Sequence, residues 1–260
     1  MIRLHDVSKS WDGGATFTVK GATLEVPAGS VMALLGGSGS GKSTIVQMIN
    51  RLYEITSGTI EVDGRDVHDV DPVQLRRQIG YVFQEIGLFP HRTVSQNVAM
   101  IPELLGQKPD EYETKVTDLL EMVELPRSEF GDRYPSQISG GQRQRVGFAR
   151  ALAGEPKVML LDEPFGALDP VTRDNLQTSF KALQQRFQFT AVLVTHDMAE
   201  ALLLADTIAV MKEGEILRIG TPAELLREPG APYVTQLLET PRRHGALIRE
   251  LERQSENQIE

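Results

Sequence analysis

Residues 36–43 constrain this chain more than any other stretch. Gly36, Gly37, Ser38, Gly39, Ser40, Gly41, Lys42 and Ser43 set two glycines around four residues and follow them with Lys and Ser, the pattern of a phosphate-binding loop. Glycine permits tight backbone curvature, so successive N–H groups can converge on one point without side chains in the way. An apolar run, residues 31–35, precedes the loop, and a helical pattern follows from Ser43 and Thr44 onward. The unpaired N–H groups and positive dipole end of such a helix favour an anion. The loop through Thr44 is therefore expected to cradle a triphosphate, with Lys42 reaching its β- and γ-phosphates and Ser43 ligating Mg²⁺.

The rest of the chain repeats the strand–helix theme. Residues 79–83, 158–161, 191–194 and 207–211 are short and largely apolar without alternation, as in strands of a parallel sheet covered on both faces. Val116, Leu119, Leu120 and Val123 recur at helical spacing, which places a helical insertion at about residues 90–153. Residues 16–26 and 59–63 read as strands of a more exposed N-terminal sheet, with an Asp63-Gly64 turn beside the second. Asp169-Pro170 and Thr221 through Glu224 carry helix-start signals. The expected fold is α/β: a parallel core sheet covered on both faces, a more exposed N-terminal sheet and an inserted helical stretch.

Bulk properties remove several alternatives. With 260 residues, 40% of them hydrophobic, the chain can bury a substantial core. Its formal net charge of -9 argues against a general grip on nucleic acid, which depends on Lys and Arg neutralising phosphates. The absence of cysteine excludes disulfides and thiolate chemistry. The longest apolar runs fall far short of a bilayer span, so a soluble chain is expected.

Further polar residues follow apolar runs: Gln84 after 79–83, Asp162 and Glu163 after 158–161, and His196 after 191–194. In open α/β sheets, ligands bind outside the carboxyl ends of the strands. Asp162 is placed to hold Mg²⁺ directly or through water, and Glu163 to accept a proton from an attacking water or orient it. Alone, an acidic pair at a strand end, or a lone His or Gln, is commonplace; beside a phosphate loop they become site candidates.

Ile138, Ser139, Gly140, Gly141 and Gln142, followed by Arg143, Gln144, Arg145 and Val146, strongly resemble the signature sequence of ABC ATPases and stand in the expected order. Ser-Gly-Gly opening a helix is itself a second anion-seeking terminus. The resemblance, which covers nearly all of residues 1–239, implies a P-loop NTPase (RecA-like) core sheet with an N-terminal antiparallel β subdomain and an inserted α-helical subdomain, with residues 240–260 as a charged tail. It implies that Ser139, Gly140, Gly141 and Gln142 contact the γ-phosphate held by a partner's loop. Two ATP molecules would then lie between head-to-tail copies of this chain. It also implies that Trp11 stacks on adenine, that Gln84 senses Mg²⁺ and the γ-phosphate, and that Asp162 and Glu163 are the magnesium-associated and water-activating acids. The loop of Ala167, Leu168 and Asp169 would cross to the partner, and His196 would hold the γ-phosphate. Departures are mild: Ile138 where Leu is common and Gly37 where Pro is common.

The segment from Glu85 to Val98 looks like the stretch of importer ATPases that receives a helix of a membrane permease, with Leu88 and Phe89 beside Pro90 as an apolar lip. Residues 85–107 with 132–142 look most like uptake ATPases for glycine betaine or choline. Those for amino acids or another small solute are the neighbouring alternative. The implied assembly is a dimer at the cytoplasmic face of the membrane, acting on integral permease subunits and indirectly with a solute-binding protein. An exporter, a soluble ABC ATPase acting on ribosomes or DNA, and a small-molecule kinase are the competing readings.

Overall fold

The strands lie in two sheets whose burial patterns differ, as seen in a computed structural model that describes residues 1–83, 87–166 and 168–256. Gln84, the expected docking residues Glu85 and Ile86, and Ala167 lie outside the described residues.

The first sheet has four antiparallel strands: β1 (Ile2–Lys9), β2 (Val19–Val26), β4 (Ser57–Val62) and the two-residue β5 (Arg65–Asp66), in the order β2-β1-β4-β5. Leu24 and Val26 of β2 are buried between exposed neighbours, and Ile2 and Leu4 of β1 likewise, the alternation of a sheet with one wet face. β2 starts at Val19 rather than Thr16, because residues 11–16 form bends stapled by the Asp12 carboxylate, which accepts from the Thr16 N–H at 2.9 Å. β1 is an element that the sequence reading did not single out.

The second sheet holds β3 (Val31–Leu35), β6 (Ile79–Val82), β7 (Val158–Asp162), β8 (Thr190–Thr195), β9 (Thr207–Lys212) and β10 (Glu215–Gly220), in the order β10-β9-β3-β8-β7-β6. All its pairs are parallel except β10 with β9. Alternate residues feed two cores. Ala33, Leu161, Leu193 and Val210 face one, while Leu34, Leu160, Val192 and Met211 face the other. Both faces are covered, which is why these strands read as continuous apolar runs.

Ten α-helices and one 3-10 turn (Pro135–Gln137) occur among the described residues. α1 (Lys42–Ile49) follows β3, and α2 (Pro72–Gln78) precedes β6. Between β6 and β7 lie α3 (Val94–Leu104), α4 (Pro109–Met122), the single-turn α5 (Arg127–Phe130) and α6 (Gly140–Leu152), with no strand among the described residues of that stretch. α7 (Pro170–Phe187) and α8 (Met198–Leu204) flank β8; α9 (Pro222–Arg227) and α10 (Pro232–Glu256) close the chain. The caps follow the sequence signals. Asp169 accepts from the Thr172 N–H at 3.0 Å, and Thr221 and Glu224 form a reciprocal capping box. α10 continues past position 240, with Pro241 inside it.

A cluster of phenylalanines ties the helical stretch to the core sheet. Phe148 of α6 stacks on Phe165, just past β7, with centroids 5.8 Å apart, and both meet Phe180 of α7 edge-on at 6.0 and 6.2 Å. All three are essentially fully buried, and such pairs contribute beyond the area they bury. Phe180→Ala is expected to lower the unfolding free energy by about 3–5 kcal/mol, read from the denaturant midpoint at unchanged m-value.

Candidate functional site

The sheet register brings the expected residues together. Leu35 at the end of β3 pairs with Thr195 at the end of β8, and Asp162 at the end of β7 pairs with Val194. The loop after β3, the acids after β7 and His196 after β8 therefore emerge at one level on the carboxyl edge of three adjacent strands. They enclose a cavity of about 460 Å³ lined by Thr18, loop residues 38–44, Glu163 and His196.

The loop geometry demands glycine at two places. Gly41 has φ 99°, and a Cβ there would stand 2.6 Å from the Thr18 carbonyl oxygen; a Cβ on Gly36 would overlap the Met211 carbonyl. Lys42 is 5% exposed. Its ammonium donates to the carbonyls of Gly36 and Gly37, each at 2.8 Å, and to Ser40 Oγ at 3.4 Å, so its three protons meet three oxygens. Burial pulls the Lys42 pKa down, while Glu163 and Asp162 oppose that pull.

Ser43 Oγ donates to Asp162 Oδ1 at 2.7 Å. Asp162 is 6% exposed, and burial pushes its pKa up against the Ser43 hydrogen bond, which lowers it. A hydroxyl and a buried carboxylate make a hard-oxygen pair that suits Mg²⁺, an ion that retains several waters. No cluster of three His, Asp or Glu able to hold a metal occurs among the described residues. The donor set thus fits a hydrated ion completed by phosphate oxygens rather than an all-protein cage.

Glu163 has φ 47°, in the left-handed region, and its N–H is held by the Val194 carbonyl at 3.1 Å. Its Oε2 lies 3.3 Å from His196 Nδ1, so these two candidates face each other across the cavity mouth. Thr195 Oγ1 donates to the buried Glu200 carboxylate and accepts from the Asp197 N–H at 3.0 Å, pinning the backbone on both sides of His196. Glu200 escaped the sequence reading because its role depends on Thr195 and on Gln177, which lies 23 positions away.

Trp11 is 57% exposed. Its indole N–H donates to Thr18 Oγ1 at 2.9 Å, Tyr53 meets it edge-on at 4.8 Å, and the Lys9 ammonium lies 4.3 Å from its ring centroid. Since Thr18 lines the cavity, the indole stands at its rim. Ser139, Gly140, Gly141, Gln142 and Asp169 do not line this cavity. Ser139 Oγ accepts from the Gln142 N–H at 3.2 Å, and Gln142 Oε1 accepts from the Ser139 N–H at 2.8 Å. Within one chain this pair caps α6, and the Asp169 carboxylate caps α7.

A second cavity, about 410 Å³ and largely apolar, lies between α2, β6 and α3. Leu52, Val73, Phe83 and Leu104 are well exposed along it. Tyr81 Oη and Asn50 Oδ1 beside them are buried without a hydrogen-bond partner among the described residues. The lip expected at Leu88 and Phe89 is not part of this groove. Leu88 packs against the core, and the Phe89 backbone is fixed by Asn97, whose Oδ1 accepts from its N–H at 2.8 Å.

A phosphate loop, an acidic strand end and a histidine meet on one sheet edge, the arrangement of a P-loop nucleotide-binding type of site. The family model described as "ABC transporter" matches residues 19–166. The glycine betaine/carnitine/choline transport ATP-binding protein OpuCA of Bacillus subtilis is 48% identical over 92% of this chain and 62% of its own length. The glycine betaine uptake system ATP-binding protein YehX of Escherichia coli is 45% identical over 91% of this chain and 76% of its own length. Among solved structures, the dimeric post-hydrolysis state of the ATP-binding cassette MJ0796 bound to ADP and Pi superposes with a TM-score of 0.77 at 34% identity. It covers 85% of this chain and 99% of that one. The chain belongs to the ABC transporter family. It spans less than two thirds of the length of OpuCA.

Burial raises the Glu200 pKa, with the Thr195 hydrogen bond opposing. A carboxyl whose pKa is higher folded than unfolded binds more protons in the folded state, so stability falls as pH rises through that window. Glu200→Gln removes the buried charge; it should raise Tm at pH 8, and the gain should shrink as pH falls toward 4, as followed by circular dichroism.

Proposed function

We propose that this chain is the ATP-hydrolysing subunit of an ABC importer and that it powers solute uptake through a separate membrane permease. The observation that carries the reading is the convergence of Lys42, Ser43, Asp162, Glu163 and His196 on one sheet edge. A triphosphate entering the cavity replaces the loop carbonyls around the Lys42 ammonium with β- and γ-phosphate oxygens and meets the N–H groups of the loop through Thr44. Trp11, at the rim, offers its face to the adenine. Ser43 and Asp162, with Gln84, hold Mg²⁺, which supplies charge neutralisation at the phosphates. Glu163 accepts the proton of the attacking water, and His196, 3.3 Å from it, moves to the γ-phosphate once nucleotide is bound. The dimeric state of the MJ0796 cassette supports a second copy of this chain as partner. In that dimer Ser139, Gly140, Gly141 and Gln142 close on the partner's nucleotide, and the loop of Asp169 crosses the interface.

The motor acts on integral subunits from the cytoplasmic face of the membrane; no described helix is long and apolar enough to cross a membrane itself. The groove edged by Leu52, Val73, Phe83 and Leu104 suits a short amphipathic helix, with Tyr81 and Asn50 offering unmet polar groups. The solute is an osmoprotectant or other quaternary amine, delivered by a solute-binding protein; the names of OpuCA and YehX support this class.

Glu163→Gln is expected to keep ATP binding and lower turnover by about 10²-fold or more; near wild-type hydrolysis would remove Glu163 from the role. Val73→Glu with Leu104→Glu should leave ATP hydrolysis of the free subunit intact and abolish co-purification of a multi-span permease. Retained co-purification would place docking elsewhere.

A further inference from the structure

The Tyr233 hydroxyl, from the first turn of α10, lies 3.1 Å from the Gly37 nitrogen and accepts its N–H, 196 positions away along the chain. Gly36 and Gly37 share one peptide unit. Its carbonyl, that of Gly36, accepts from the Lys42 ammonium at 2.8 Å. One peptide plane is thus held at both ends, by Lys42 on its oxygen and by Tyr233 on its nitrogen. Turning that plane would move an oxygen that positions a buried cation, and a buried cation is costly to leave unpaired.

Tyr233 is itself fixed. The following Val234 and, one turn later, Leu238 are fully buried in the core, and the Lys212 ammonium lies 5.4 Å from the Tyr233 ring centroid. Gly37 is not among the positive-φ residues, and a Cβ on it would sit 3.5 Å from Tyr233 Oη, an ordinary contact. Glycine is therefore not demanded there by backbone shape. What the position supplies is an N–H, which every residue except proline has.

We propose that Tyr233 is a positioning residue of the phosphate loop: by holding the Gly36–Gly37 peptide, it fixes the oxygen that orients Lys42 and couples the docking of α10 to nucleotide affinity. This rests on the nucleotide-binding reading above. Tyr233 touches no phosphate; it acts through the peptide plane. The hydrogen bond is neutral and partly exposed, so its loss weakens binding by about 3- to 10-fold rather than abolishing it.

The test measures ATP affinity and steady-state hydrolysis for Tyr233→Phe in three backgrounds: wild type, Gly37→Ala, which keeps the N–H, and Gly37→Pro, which removes it. Circular dichroism melting checks the fold of each. Tyr233→Phe should raise the Kd and KM for ATP by about 3- to 10-fold at unchanged kcat in the wild-type and Gly37→Ala backgrounds. It should have no effect in Gly37→Pro, where there is no hydrogen bond left to lose. An equal loss in all three backgrounds would show that the hydroxyl acts other than through the Gly37 N–H and would overturn the proposal. So would an unchanged Kd in wild type. If the unsubstituted protein bound no ATP, the nucleotide-binding reading itself would fall, an outcome distinct from either.

Discussion

A buried ammonium must be surrounded by oxygen, and in this chain much else is arranged around meeting that requirement at Lys42. Its three oxygens come from the loop itself. The loop holds its shape because Gly36 packs against the end of β9 and Gly41 against the chain entering β2. The opposing charges, Asp162 and Glu163, come from the strand next but one in the sheet. An amine left unpaired at that depth would lose its proton or distort the loop. The loop carbonyls keep it charged and poised, so that an arriving phosphate exchanges one set of oxygens for another instead of creating a new ion pair from water.

The same logic explains why the acids differ. Asp162 sits deep, tied to Ser43, and burial works against its charge; a cation alongside would relieve that. Glu163, one residue on, turns through a left-handed backbone conformation to face His196 at the mouth. Adjacent residues thus meet different surroundings, which is how two carboxylates one peptide apart become suited to different tasks.

Much of this was legible in the sequence where the signal is local. The apolar runs at 31–35 and 158–161 fall inside β3 and β7, and Asp169 and Thr221 cap the helices they were expected to start. Parallel strands buried on both faces carry continuous apolar runs, and caps need only neighbouring residues. The strand from 16 lost its first three residues because Asp12 and Thr16 close a local loop, an alternative that hydropathy does not register. β1 was passed over: Asp6 carries φ 49° and the pairing register shifts beyond Leu4, which breaks the alternation a strand would show. Glu200, the Tyr81 and Asn50 groove and Tyr233 were invisible because their partners lie far along the chain. The placement of Gln84 belongs to residues outside the described set.

The order of the second sheet has a consequence for the growing chain. β3, which carries the phosphate loop, is flanked on both sides by strands made late, β8 and β9. Until residues 190–212 have left the ribosome, β3 has no neighbour on either edge, and an unpaired apolar strand is a template for the wrong partner. Contacts of such long range also slow folding. The strand that carries the phosphate loop thus waits through most of synthesis for the two late strands that close its edges.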